Sequence, residues 1–231
     1  MRFSEIEDLA RRELLDEVGV EKVRLVKSWQ MMAYANEAEA EACIRARLLV
    51  DSTTDAVCAI QTVAGQTIYD YDPRILLITR GKITGAAKPL QRVSCTVLDE
   101  RYPSWEDQSG KVEAFVTGMD KGKIRLFRAP IDTAPLNLTV VRLPLVQMAN
   151  TSSVPEIHSS LHPSLVLWIK HKVYNNTDSE LFDKNRADVH LQMFEQKFGK
   201  NTAGLHDVFD AMQIPQFTPE NSYSSDDDGY Y

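Results

Sequence analysis

Apolar residues recur at helical spacing near both ends of the chain, and a different pattern lies between them. Near the start, Ser4 and Glu7 fit a capping box, in which two side chains bond the free N–H groups at the start of a helix. The apolar positions that follow are Ile6, Leu9, Ala10 and Leu14. This spacing predicts a helix over residues 5–17.

A second helix is predicted over residues 29–47, with Ser28 as its cap. Its main apolar stripe consists of Trp29, Met32, Ala33, Ala40, Cys43 and Ile44. The other side of this helix carries Ala35, Ala38, Ala42 and Ala46. Small side chains allow another helix to approach closely, although alanine also favours a helix without any such contact.

Two further helices are predicted over residues 163–174 and 178–198, with a turn at 175–177. Pro163 suits a first helical position, Thr177 and Glu180 fit a capping box, and Gly199 suits a helix end. One side of the first helix carries Leu161, Leu165, Trp168, Ile169 and Val173. The second helix has two apolar stripes: Phe182, Val189 and Met193, and nearly opposite them Ala187, Leu191, Phe194 and Phe198. Two stripes indicate either a neighbouring subunit or a helix wholly buried in its own core.

Between these helices the pattern favours strands and turns. Strands are predicted over residues 57–61, 67–69, 75–78, 90–95, 113–117, 123–127 and 137–143, with a short helix over 97–102 and a loop over 81–85. The turn that ends at Gly122 is typical of a β-hairpin between the strands over residues 113–117 and 123–127. We therefore predict an α+β fold, in which residues 1–50 and 151–212 form a helical bundle around an inserted antiparallel β module of residues 51–150.

The composition of the 231-residue chain is that of a folded protein, with 43% hydrophobic residues. The net charge is −7, from 33 acidic and 26 basic residues. Four of the acidic residues, Glu220 and 226–228, lie near the C-terminus, so that 29 acidic and 26 basic residues, or −3, remain elsewhere. No basic block is present, which disfavours direct recognition of nucleic acid but not a ring through which DNA passes.

Three features bear on where the protein is made. The spacing of the three cysteines, Cys43, Cys58 and Cys95, is not that of a metal-binding or redox motif. An odd number of cysteines fits a reducing compartment better than a set of disulfides. No apolar run reaches the length of a membrane span, and the first residues do not resemble a secretory signal. We expect synthesis in the cytoplasm and no membrane partner.

Residues 213–231 form an acidic extension without helical or strand periodicity. Its apolar and aromatic residues include Ile214, Phe217, Tyr223, Tyr230 and Tyr231. We predict that these five residues bind pockets on a partner surface. The alternative is a contact without function.

The sequence contains no strong motif for catalysis or metal binding. His158 and His162 have the i, i+4 spacing of two metal ligands, but Pro163 interrupts the helical register and no Cys or Glu cluster lies nearby. Capping or surface roles are preferred for both. We find no nucleophile elbow, Walker loop or dinucleotide fingerprint, and aspartates such as Asp72 fit turns. The prediction is no enzyme, no metal and no cofactor; the alternative is a His-based metal-dependent hydrolase.

Several segments resemble the head-to-tail adaptor proteins of short-tailed bacteriophages, in matching order and spacing over roughly residues 25–200. The matching segments are Trp29 with Tyr34-Ala35-Asn36-Glu37-Ala38-Glu39, Leu48-Leu49-Val50-Asp51, Ala64-Gly65-Gln66-Thr67-Ile68-Tyr69, Asp72-Pro73-Arg74-Ile75-Leu76, Leu98-Asp99 with Pro103, Trp105 and Gly110, Arg142-Leu143-Pro144-Leu145, Pro155-Glu156-Ile157, Trp168, and Asp178-x-Glu180-x-x-Asp183 through Phe194 to Phe198-Gly199. The chain departs from the family pattern after Gly199, where the extension begins, and Ala35 replaces a leucine.

The resemblance implies a virion structural protein of the neck or tail. Such adaptors form a ring, typically dodecameric, that binds the portal protein and a tail nozzle, tube or fibre protein while DNA passes through the centre. The alternative within this class is another tail or head-completion protein.

Overall fold

The computed structural model describes residues 1–14 and 25–201. Its helices are α1 (Phe3–Leu14), α2 (Ser28–Ala46), α3 (Asp55–Cys58), α4 (Cys95–Arg101), α5 (His162–Tyr174) and α6 (Lys184–Phe198). Its strands are β1 (Leu49–Asp51), β2 (Ala59–Gln61), β3 (Ile68–Asp70), β4 (Ile75–Ile83), β5 (Gln91–Arg92), β6 (Ala114–Thr117), β7 (Lys123–Phe127) and β8 (Pro135–Arg142). The predicted α+β class is confirmed, because helices from both ends of the chain pack together and two sheets lie between them in sequence.

The chain divides into two compact units. Of the described residues, a helical unit contains 1–14, 25–59, 72–79 and 138–201, and a sheet unit contains 60–71 and 80–137. Within the described ranges, no helix has the length and apolarity needed to cross a membrane.

Helix α5 is the centre of the helical unit, where α1, α2 and α6 pack against it. The buried core includes Phe3, Ile6, Met31, Ala35, Ala38, Ala42, Leu165, Trp168, Ile169, Val173, Ala187, Phe194 and Phe198. Most of these positions follow helical spacing, so each helix buries one stripe against its neighbours. Burial of this apolar area is the main force that holds the ends of the chain together.

Two predicted helix starts are wrong because other groups accept from the first N–H groups of the helix: the Asp183 side chain at α6, and the Thr151 and Ser153 carbonyls at α1. Helix α6 begins at Lys184 instead of residue 178, and the Asp183 carboxylate accepts a hydrogen bond of 3.0 Å from the Arg186 N–H. The predicted Thr177 cap lies in a turn before it. Helix α1 begins at Phe3, so that Ser4 lies inside the helix; its predicted end at residue 17 falls outside the described residues.

The sheet unit contains the predicted hairpin of β6 and β7, in which Phe115 pairs with Leu126. Its strand order is β3-β7-β6-β5, and β5 pairs with β6 in parallel, unlike the antiparallel arrangement predicted for the whole module. Leu98, Trp105 and Phe127 lie in its core. The predicted short helix is confirmed as α4, capped by Ser94.

The other sheet has the order β1-β8-β2, and β4 also pairs with β8. In its antiparallel pair β1/β8, Val50 lies opposite Val141. Two predictions are wrong here. Residues 57–58 belong to the helical turn α3 rather than to a strand, and residues 81–83 extend β4 instead of starting a loop. Gly81 lies within β4, and its backbone pairs with that of Leu90 in an antiparallel β-bridge.

Candidate interaction surfaces

Helix α6 has two apolar faces, as its sequence pattern predicts. Ala187, Phe194 and Phe198 are buried in the core of the helical unit. The opposite stripe stays exposed: Phe182, just before the helix, is 47% exposed, Val189 52% and Met193 45%. We call these three residues the α6 outer stripe. Val189 and Met193 lie one turn apart on one side of α6, so this exposed apolar stripe is a candidate protein interaction site.

Helix α2 is oriented differently from what its main stripe suggests. Its alanine side is the buried one, since Ala35, Ala38 and Ala42 have no exposed surface. Trp29, the first residue of the predicted main stripe, is 69% exposed. The alanine side lies inward because side chains of one carbon let α2 approach its neighbours closely.

We call Trp29, Ala33, Ala40 and Ile44 the α2 outer stripe. Trp29 and Ala33 are exposed, and Ala40 and Ile44 are partly buried. An exposed tryptophan is unusual on a surface without a partner, because its indole ring is among the largest apolar groups in proteins. The helical unit therefore presents two apolar surfaces on two different helices.

Arg45 joins the C-terminal ends of α2 and α6. Its side chain contacts Glu41 within α2 and Glu195 of α6, at 2.9 and 3.4 Å. Its guanidinium carbon also lies 5.3 Å from the centre of the Trp168 ring and 5.4 Å from that of Phe194. Such cation–π contacts hold the arginine in an apolar setting. The inner faces of both helices are thereby fixed towards α5.

A second set of polar contacts lies beside α2 and holds the segment that follows β8 in place. Buried Arg142 bonds Asp51 at 2.7 Å and also contacts Glu156. Buried Glu39 accepts hydrogen bonds from the Glu156 and Ile157 N–H groups. We call Glu39, Asp51, Arg142 and Glu156 the carboxylate–arginine cluster.

The carboxylates of this cluster differ in proton affinity. Burial raises the pKa of Glu39 above its usual range. Burial also acts to raise the pKa of Asp51, but hydrogen bonds from Thr53, Thr54 and Arg142 outweigh it, so the pKa of Asp51 is lowered. The pKa of Glu156 is lowered in the same way, because bonds from Arg142 and the Leu145 N–H outweigh its burial. A buried carboxylate stays charged only where such donors surround it.

Several motifs that carry the resemblance make hydrogen bonds that hold neighbouring segments of the chain together. The Asn36 amide bonds the Met148 backbone in both directions, at 2.8 and 3.0 Å. The Asp72 carboxylate accepts three bonds from Arg74, which also reaches the Leu145 carbonyl. These hydrogen bonds give the asparagine, aspartate and arginine at these positions a structural role.

The sheet unit contains a similar set of side-chain contacts. The Trp105 indole N–H donates to Asp99 at 2.8 Å, and Arg125 lies over the face of the Trp105 ring. Asp99 thus holds a buried indole whose N–H would otherwise lack a partner. The predicted turn role fits Asp72, which accepts from the Arg74 N–H two residues on, whereas Asp99 lies within helix α4.

The predicted histidines do not come together as metal ligands. Nδ1 of His162 lies 2.9 Å from the Met1 nitrogen, and Nε2 lies 2.9 Å from the Ile157 carbonyl oxygen. His158 instead bonds Ser160. His171 and His190 lie between α5 and α6, where His171 contacts the Ala187 carbonyl and His190 stacks on Tyr174. Among the described residues, no group of three or more side chains could hold a metal ion.

Two clefts lie within the described part of the helical unit. One of about 430 Å³ is lined by Leu25, Tyr34, Val173, Asn176 and Glu180, among others. The other, of about 300 Å³, lies beside Asn36, Glu39 and Arg74. The predicted partner-binding residues Ile214, Phe217, Tyr223, Tyr230 and Tyr231 lie outside the described residues, so their binding stays a prediction.

The SU10 adaptor protein family model matches residues 1–213, which include both units and end before most of the acidic extension. No curated protein matches the chain.

Proposed function

The chain belongs to the SU10 adaptor protein family, whose members are phage head-to-tail adaptors, and from this premise we propose that its copies form a ring between the portal and the tail. The ring binds the portal protein on one side and a tail nozzle, tube or fibre protein on the other. Family expectation favours twelve copies. The adaptor family is a structural one, which supports a structural role.

The observation that carries the proposal is the exposed α6 outer stripe opposite a buried stripe of the same helix. Phe182, Val189 and Met193 leave apolar area in water that a neighbouring molecule would cover. Covering apolar area contributes about 25 cal/mol per Å². In a ring each modest contact repeats around the circle, so the assembly is stable although one interface is weak.

The proposed ring surrounds DNA without reading its sequence. Outside the four acidic residues near the C-terminus, the remaining charge of −3 is close to balance. Sequence-independent affinity for DNA depends on lysine and arginine contacts with phosphates. A nearly balanced chain supports a channel through which DNA slides rather than one to which it binds.

The test is the mass of the purified protein, measured by light scattering alone and with the phage's portal complex. We expect a closed oligomer, or a portal-bound ring, with a mass that is a fixed multiple of 26.1 kDa. A protein that stays monomeric under both conditions would overturn the proposal.

A further inference from the structure

We propose that neighbouring copies in the ring meet through unlike surfaces: the α2 outer stripe of one copy packs against the α6 outer stripe of the next. This inference rests on the proposed ring. It names the surfaces that join the copies and the second copy of this chain as the occupant of each stripe.

The positions of the two helices support unlike surfaces. Helices α2 and α6 both pack on α5, and Arg45 of α2 reaches Glu195 where their C-terminal ends meet. Since both inner faces are directed into the core around α5, both outer stripes point away from it. A closed ring needs two different surfaces on each copy, whereas a two-fold dimer uses one surface twice. A dimer through α6 alone would leave Trp29 in water.

The shapes of the stripes fit each other. The α2 outer stripe has a large indole at one end and the small side chains of Ala33 and Ala40 along the helix. The α6 outer stripe presents the bulkier Val189 and Met193 one helical turn apart. Large side chains of one helix pack well into the shallow surface that small residues leave on another. Two α6 stripes would instead bring bulky side chains against each other.

Charge also favours the unlike pairing. Glu37 borders the α2 outer stripe, and its side chain is 41% exposed although it contacts Lys172. Arg186 borders the α6 outer stripe, and its side chain is 67% exposed although it contacts Asp183. Contact between α2 and α6 brings these opposite charges close together, whereas two like helices bring like charges together. Such repulsion selects against the wrong pairing.

Cysteine cross-linking tests the pairing directly. The variants are Ala33→Cys, Met193→Cys and the double variant, each carrying Cys95→Ser, because Cys95 is the partly exposed native thiol. Cys43 and Cys58 are buried, and burial raises the pKa of Cys43 to about 12, which keeps its thiol from reacting. The proteins are oxidised under the conditions in which light scattering shows the oligomer, with portal present if it is required.

We expect the double variant to give a ladder of disulfide-linked species on a non-reducing gel. A mixture of the two single variants should give one dimer band, and neither single variant alone should give any. The matched control pairs Ala33→Cys with Val154→Cys, which replaces another exposed apolar residue of the same unit, 56% exposed, that belongs to neither stripe. This control should give no ladder.

The outcomes separate the inference from the proposed function. An oligomer without the ladder would overturn the pairing while the ring stands. A dimer from one single variant alone would show contact between like surfaces and would also overturn it. A protein that never assembles would overturn both the ring and the pairing.

Discussion

Arg142 shows how a single residue organises the segment that follows β8. It bonds buried Asp51 of β1 on one side and Glu156 on the other, and the Glu156 N–H in turn bonds Glu39 of α2. A buried arginine is stable only with such partners, because the loss of its water shell is costly. The cluster therefore ties a strand, a loop and a helix of the helical unit together.

Replacing Arg142 should destabilise the protein strongly. Arg142→Met leaves the buried Asp51 carboxylate without its cation, and loss of one partner of a buried pair costs about 3–5 kcal/mol. Urea unfolding followed by circular dichroism measures the change. The control Arg186→Met replaces an exposed arginine and should change the free energy of unfolding by less than about 0.5 kcal/mol. Equal effects of the two variants would contradict the role of the cluster.

Glu39 should make stability depend on pH. Because its pKa is raised in the folded protein, the folded state binds more protons, and the free energy of unfolding should rise as pH falls from 7 to about 5. Asp51 and Glu156 act in the opposite sense: their pKa values are lowered, so their contribution is lost below about pH 4. Stability should therefore be greatest between these two ranges.

Thermal unfolding of Glu39→Gln across this pH range is the measurement. The amide keeps an oxygen that accepts from the Glu156 and Ile157 N–H groups but does not titrate. The rise in stability between pH 7 and 5 should disappear, and the loss below about pH 4 should remain. A variant with the same rise as the unmodified protein would argue against the assignment to Glu39.

At the scale of elements, α6 divides its two apolar stripes between two roles. Phe194 lies in the core, with its ring centre 5.0 Å from that of Trp168 and 4.6 Å from that of Phe198. Val189 and Met193 face solvent. The same helix thus stabilises its own chain with one stripe, and the other stripe is the surface that we propose contacts a neighbouring copy.

Two truncations on α6 should separate these roles. Phe194→Ala removes a fully buried ring and should lower the free energy of unfolding by about 3–5 kcal/mol. Val189→Ala removes only exposed methyl groups and should change it by less than about 0.5 kcal/mol. Denaturant titration of both proteins is the measurement. If Val189→Ala proved as damaging as Phe194→Ala, the outer stripe would belong to the fold rather than to an interface.

At the scale of the whole molecule, a protein of the adaptor family is expected to bind other virion proteins. The described part of the chain supplies two outer stripes, whereas the acidic extension lies beyond the residues that the family model matches over 1–213. The proposed ring and the predicted role of the extension are therefore separable.

Deleting residues 214–231 should weaken attachment to the partner complex without unfolding the domain. The deletion removes Ile214, Phe217 and the three tyrosines that we predict to bind a partner, but no residue of the described cores. Co-sedimentation with the portal complex and thermal unfolding measure the two effects. Unchanged attachment would refute the partner role, and a lost thermal transition would show that the extension is needed for folding.

Local pattern was enough to identify most elements, since the helix and strand periods appear in the sequence itself. The hairpin of β6 and β7, helix α4 and the two stripes of α6 were all predicted correctly. The starts of α1 and α6 were not, because several residues offer similar caps and packing selects among them. Asp51 and Arg142 gave no local signal of their pairing, since 91 positions separate them in the sequence.

The sequence alone determined the α+β class, the family and the presence of a second apolar stripe on α6, because each depends on the order and spacing of residues. Only the tertiary structure decided that the alanine side of α2 faces inward and Trp29 faces outward. Two stripes on one helix are equivalent until a neighbour packs against one of them. The close approach that alanine allows favours that choice, and it leaves Trp29 exposed at the surface.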